Sequence, residues 1–244
     1  MFRVFYRISE QRHPFGNVDN QIGTPWENLD NRKTFKNTLS VFDKNDIIAY
    51  CDNLGDDTYQ YVKSFNINNT VRTNLGNVGS LDLIIKDIVT NYNDDDTIYI
   101  VEDDYLHLKD SKKIIEEGLE IADYVSLYDS LDKYINGGNN PLIVDGGEIT
   151  RVKLTKSTHW KYTNATTGTF ASKVKIFKRD FDLFKKYNNS SFKHMQDFAF
   201  FQELINTKRG TLINCIPGRA AHIGYEMPPF IDWFNFDKDY GIIE

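Results

Sequence analysis

Short β-branched runs alternate with helix-spaced apolar residues through the first hundred positions, and few folds accommodate that rhythm. Strand-like runs at 2–8, 47–51, 71–73 and 97–101 are separated by helical patterns at 32–42, 58–65 and 81–91. In the last of these, Leu81, Ile84, Ile85, Ile88 and Val89 recur at helical spacing. Strand and helix alternating at this pace predict an α/β fold with a mostly parallel central sheet covered by helices on both faces. Ligands of such sheets bind beyond the carboxyl ends of the strands.

The fourth run ends abruptly in charge, as Ile98-Tyr-Ile-Val-Glu-Asp-Asp104. Three adjacent anions repel one another, and a buried strand keeps water from screening them fully. A positive group is expected to join them, and a divalent metal is the first candidate, because hard cations take oxygen ligands and complete their shells with substrate phosphates. The similar trio Asp94-Asp-Asp96 lies between a helix and a strand start and reads as an ordinary polar loop.

Beyond position 104 the pattern changes. A helix is expected at 111–122 and a strand at 124–127, followed by a Gly/Asn-rich loop with a short embedded strand at 135–148. Short β segments rich in Thr, Val and aromatics fill 149–175, and helices at 178–187 and 195–207 precede a strand at 211–216. The tail from Pro217 reads as irregular. With no internal repeat and no long linker, one domain over 1–244 is expected.

Composition closes off several function classes. The chain has 244 residues, 40% hydrophobic and 26% charged, an ordinary soluble balance that allows a sizeable core. Its formal net charge of −6 argues against a nonspecific nucleic-acid binder. No apolar stretch approaches the roughly 20 residues of a membrane helix, and MFRVFYRISE lacks the layout of a signal peptide. Cys51 and Cys215 stand far apart without CxxC spacing, which argues against a disulfide framework or thiolate zinc site and for a reducing, cytoplasmic setting. Abundant Asn, Lys, Ile and Asp fit an AT-rich genome, so that setting is a bacterial cell or a virus-infected host cell.

An apolar strand ending in Glu-Asp-Asp about 100 residues into an α/β chain resembles the DxD-type motif of GT-A glycosyltransferases, in its EDD form. The resemblance implies a GT-A (Rossmann-like) fold with a mixed β acceptor-side region, a nucleotide-sugar-binding half at 1–104 and an acceptor-binding half at 105–244. It implies a nucleoside diphosphate-sugar donor, uridine-based by preference, a carbohydrate or glycan acceptor, and Mn²⁺ or Mg²⁺ held by Asp104. Glu102 and Asp103 would then lie near the ribose and donor sugar. The polar end of the first strand, Tyr6, Arg7 and Ser9, and the acid after the second, Asp52, match positions that line the family's nucleotide pocket. Asn77 and Gly79, in Asn74-Leu-Gly-Asn-Val-Gly-Ser80, resemble its Asn/Gly-rich turn beside the nucleotide; glycine there permits close backbone approach.

Two later segments extend the likeness. Asp197, in His194-Met-Gln-Asp197, stands where inverting members carry a catalytic base, although the residues alone also suit an acid near a helix N-terminus. Pro217-Gly-Arg219-Ala-Ala-His222-Ile-Gly224 resembles a segment whose His joins the metal or diphosphate, with Arg219 neutralising leaving phosphate charge. Trp160, Gly168 and Thr169 fall where the family builds its acceptor site, and Tyr225 and Trp233 would close over the donor. Two other readings fit the acids less well. A sugar-phosphate nucleotidyltransferase usually has a Gly-rich basic loop after the first strand, which YRISEQRHPFGN lacks. A noncatalytic nucleotide- or carbohydrate-binding module would keep nucleotide binding without transfer.

Overall fold

The computed structural model describes residues 1–10, 29–136, 138, 140–225, 231 and 233. The long polar stretch between Glu10 and Leu29 therefore lies outside the described residues. The first half runs β1 (Phe2–Ser9), α1 (Asn31–Val41), β2 (Ile47–Asp52), α2 (Asp56–Ser64), β3 (Asn69–Thr73), α3 (Gly76–Asn91) and β4 (Thr97–Glu102). All pairings among these four strands are parallel. The second half runs β5 (Tyr105–His107), α4 (Ser111–Gly118), β6 (Tyr124–Ser126), β7 (Val152–Leu154), β8 (His159–Tyr162) and β9 (Phe170–Lys173). It closes with α5 (Val174–Arg179), α6 (Phe181–Tyr187), α7 (Asp197–Asn206), β10 (Leu212–Ile216) and β11 (Ala220–His222).

Nine strands form one sheet in the order β3-β2-β1-β4-β9-β6-β10-β8-β7, parallel through its first half and mixed beyond. This is the expected α/β architecture. Strand alternation feeds two cores. Val4, Tyr6, Ile8, Tyr99 and Val101 face one layer with Phe35, Val62 and Ile114. Phe5, Ile98 and Ile100 face the other with Ile84, Ile88 and Phe200. Because successive side chains point to opposite faces, a strand buried on both must be apolar throughout. β1 meets that demand over Val4–Tyr6 and β4 over Ile98–Val101, and at their carboxyl ends Arg7 and Glu102 stand side by side in register.

Several boundaries differ from the sequence reading, each for a tertiary reason. α3 begins at Gly76 rather than 81, because Asp52 of β2 accepts from the Leu75 and Gly76 amides at 2.7 and 2.9 Å and caps the helix from another element. The helix expected at 178–187 is two helices meeting at Asp180, whose fully buried carboxylate accepts from Arg179 and Tyr124. The tail contains β11, which pairs antiparallel with β5 in a separate two-stranded sheet. Among the described residues, the loop after position 134 contains no strand before β7.

Trp160 of β8 is fully buried and packs on Gly118, the last residue of α4. A Cβ at Gly118 would lie 2.6 Å from Trp160 Cη2 and 2.8 Å from Val125 Cγ2. Gly118→Ala is expected to overpack this site and cost about 1–3 kcal/mol. Urea unfolding should show it as a lowered midpoint with an unchanged slope.

Candidate functional site

The carboxyl ends of β1 and β4 open into two clefts that share Arg7, Asn77 and Glu102. One, of about 380 Å³, is lined by Ser9, Asp52, Asn53, Gly76, Ser80, Asp103 and Asp104. The other, of about 430 Å³, takes in Tyr128, Gly168, His194, Asp197, His222 and Tyr225. Arg7 forms the partition. Its Nη1 donates to Glu102 Oε1 at 2.9 Å, and its Nη2 donates to the Asn77 carbonyl at 2.8 Å.

Each acid of the trio has a different partner. Glu102 meets Arg7 and lies against Gly168, where a Cβ would fall 2.9–3.0 Å from its carboxylate atoms. Asp103 Oδ2 accepts from the Ser9 amide at 2.8 Å, and its carbonyl accepts from Thr34 Oγ1. Asp104 Oδ2 lies 3.0 Å from His222 Nε2. The β5–β11 ladder makes that meeting possible by setting His222 opposite Tyr105, the residue after Asp104. The His222 ring is sandwiched between Tyr105 at 4.5 Å and Tyr225 at 4.1 Å, both stacked.

The electrostatics record the crowding. Burial, followed by the charge of Asp104, pushes the Asp103 carboxyl up to about 8. Burial also raises Glu102, with Arg7 pulling the other way. Burial works against protonation of His222, yet Asp104 carries it above the usual histidine range. Asp197, the first residue of α7, accepts from the Phe198 amide at 2.7 Å and faces the larger cleft. Burial pushes its carboxyl up to about 6, with the Glu102 charge adding to the shift.

A cation would find a partial set of ligands here. Asp104 Oδ1 is a buried oxygen with no hydrogen-bond partner among the described residues, and it belongs to the carboxylate that already meets His222. Among the described residues no group of three or more His, Cys, Asp or Glu side chains is gathered to hold a metal by itself. An oxygen and an imidazole nitrogen suit Mn²⁺ or Mg²⁺ when waters or phosphate oxygens complete the shell.

Ten of the fifteen donor, metal, catalytic and acceptor candidates line these clefts: Arg7, Ser9, Asp52, Asn77, Glu102, Asp103, Asp104, Gly168, Asp197 and His222. The other five do not. Tyr6 is fully buried, its hydroxyl 3.2 Å from Thr34 Oγ1. Gly79 sits inside α3 against Leu75. Arg219 pairs with Asp110 and the Pro217 carbonyl, outside both clefts. Trp160 is core rather than acceptor surface, because its indole packs under α4. Thr169 is buried too, and its hydroxyl accepts from the Glu102 amide at 3.1 Å, bracing the strand end from behind. Of the two tail aromatics, Tyr225 reaches the larger cleft while Trp233 packs with Leu106, Leu108 and Ile223.

Sequence reasoning missed the far wall. Lys133 is buried and donates to Thr163 Oγ1 at 2.6 Å and to the Ala165 carbonyl at 2.5 Å. Buried Lys161 lies 3.2 Å from Asp129 and 3.5 Å from Glu148. Glu148 in turn accepts from the Asn164 amide. This ionic cluster holds the 163–168 segment, part of which lines the larger cleft. Lysines in a loop and a short strand read as solvated, and no local signal in the sequence distinguishes these two.

No family model matches the chain, and no curated protein matches it. Among solved structures, it is similar to HddC from Yersinia pseudotuberculosis, at 13% identity over 92% of this chain and 95% of that one, with a TM-score of 0.48. It is also similar to 4-diphosphocytidyl-2C-methyl-D-erythritolsynthase from Anaerococcus prevotii, at 12% identity over 92% and 91%, TM-score 0.48. A third is S. aureus TarS 1-349, at 15% identity, where 87% of this chain spans 57% of that one with a TM-score of 0.47. Likeness of this degree carries nothing about activity or substrate.

The raised Asp197 carboxyl has a consequence for stability. Its folded-state value of about 6 lies above the usual 3.8, so its ionised form costs the fold free energy at neutral pH. Asp197→Asn keeps the oxygen that accepts from Phe198 and removes the charge. The variant should unfold with a higher free energy than the parent at pH 7.5, by at most about 3 kcal/mol. That gap should shrink as pH falls through 6 and vanish near 4, as followed by urea titrations across this range.

Proposed function

We propose that this chain is a metal-dependent glycosyltransferase that moves a sugar from a nucleoside diphosphate-sugar, uridine-based by the family resemblance, to a hydroxyl acceptor with inversion. What supports the reading is the Asp104 oxygen that has no partner among the described residues, beside His222, where two clefts meet and Asp197 faces the larger one. The smaller cleft takes the nucleotide, with Ser9, Asp52 and Asp103 along it. The larger takes the acceptor and the reacting end of the donor.

Asp104 and His222 would hold the cation, which when bound neutralises the departing diphosphate. Arg7 fixes the Glu102 carboxylate toward the donor. Gly168 leaves room for that carboxylate. Asp197 accepts the acceptor hydroxyl's proton as its oxygen attacks the anomeric carbon from the face opposite the diphosphate. A carboxylate raised to about 6 is a stronger base than an ordinary aspartate and is still largely ionised at neutral pH. A single displacement then inverts the anomeric centre.

A panel of nucleotides and nucleotide-sugars in thermal shift, with and without Mn²⁺, tests the donor half, because stabilisation follows ligand concentration over Kd. UDP or a UDP-sugar should stabilise in a Mn²⁺-dependent way, and Asp104→Ala should lose that dependence together with transfer. Pyrophosphate release from a nucleoside triphosphate and a sugar 1-phosphate would instead make the chain a nucleotidyltransferase. Asp197→Asn should lower kcat by about 10²–10⁴-fold with nucleotide affinity nearly unchanged. In the parent, kcat should fall as pH drops through about 6, where Asp197 takes up its proton. Full turnover by Asp197→Asn, or retention of the donor's anomeric configuration by NMR, would remove this residue from the chemistry.

A further inference from the structure

At the end of the sheet away from β3, the strand β7 and the loop before it carry apolar side chains that no described residue covers. Leu142, Val144, Ile149, Val152 and Leu154 are 52%, 70%, 98%, 58% and 69% exposed. They are five of the ten exposed large hydrophobic residues among those described, gathered within thirteen positions. Leu142, Val144 and Ile149 line one shallow depression with Arg151 and Tyr162. Exposed apolar groups concentrated in this way mark an interaction surface.

Cations accompany them. Arg151, Lys153 and Lys156 make no ion pair among the described residues. Arg151 and Lys153 lie over the Tyr162 ring at 4.7 and 5.6 Å. No Asp or Glu occurs from Ile149 to Arg179, in a chain whose net charge is −6. Of the two acids just before that stretch, Asp145 is exposed and Glu148 turns inward to Thr163 and Asn164. From Arg151, just before β7, to Leu154 the cations Arg151 and Lys153 alternate with Val152 and Leu154, so apolar and basic side chains flank the same edge.

We propose that β7 and the 142–149 loop dock this protein on an anionic lipid surface, with the apolar side chains entering the headgroup boundary and the three cations meeting the lipid charge. A second copy is a poorer occupant. Antiparallel pairing of two β7 edges would bring the same cations together, and like charges opposite one another destabilise a sheet. Lysines on an edge strand also discourage such pairing.

The intact chain should sediment with vesicles of phosphatidylcholine mixed with phosphatidylglycerol and stay in solution with phosphatidylcholine alone. Its overall negative charge makes nonspecific adsorption to the mixed vesicles unfavourable, so binding would report the local patch. High salt should release it. The triple change Arg151→Glu, Lys153→Glu, Lys156→Glu should weaken binding by at least roughly a hundredfold. Ile149→Ser with Leu154→Ser should weaken it as well. All five side chains are solvent-facing, and unchanged thermal unfolding of both variants would exclude misfolding as the cause. Failure to sediment, equal binding to both vesicle types, or unaltered binding by the triple variant would overturn the proposal. So would a dimer in light scattering that Ile149→Ser with Leu154→Ser dissolves, since the occupant would then be a second copy.

Discussion

Mutual repulsion among Glu102, Asp103 and Asp104 is offset from three directions, and much of the surrounding architecture serves that end. Arg7 reaches Glu102 from β1, the Ser9 amide reaches Asp103 from the same strand, and His222 reaches Asp104 from β11. Parallel pairing of β1 with β4 sets Arg7 level with Glu102. The short β5–β11 ladder exists at the point where His222 is needed. Neutralisation is incomplete, since Asp103 remains raised to about 8 and one oxygen of Asp104 has no partner among the described residues. The cation proposed above would complete that neutralisation.

The sequence made the first half legible because its strands are buried on both faces. β2 and β4 read as apolar runs up to their last residue, β1 as one around Val4–Tyr6, and the charge that ends β4 cannot be mistaken for their continuation. The second half was less legible. β5 and β11 are three residues each, too short to carry a period, and what defines them is their partner 115 or so positions away. Asp52 looked like a nucleotide contact and lines the smaller cleft, but both its oxygens also hold the start of α3. Trp160 looked like a sugar platform by position alone. Only the glycine beneath it, 42 residues earlier in the chain, reveals that the indole belongs to the core.

The two sides of the larger cleft are stabilised by different means. Around Asp197 a carboxylate is kept partly out of water at a cost to the fold, in keeping with the general conflict between stability and activity. Across from it, Lys133, Lys161, Asp129 and Glu148 form a buried cluster in which Lys161 lies near both acids while Lys133 and Glu148 bond to residues 163–165 of the cleft-lining segment. Removing one member of such a cluster strands the others, so its members are constrained together.

β9 lies between β4 and β6, antiparallel to both. Thr169, which enters it, receives the Glu102 amide across 67 residues of chain. During synthesis, a ribosome that has released β4 has therefore released a hydrophobic strand with one open edge, and the segment that covers it has yet to be made. Such edges invite pairing with foreign strands, and long-range closures of this kind form slowly. The acidic end of β4 gives that strand a charged terminus, and like charges disfavour pairing with another copy of itself.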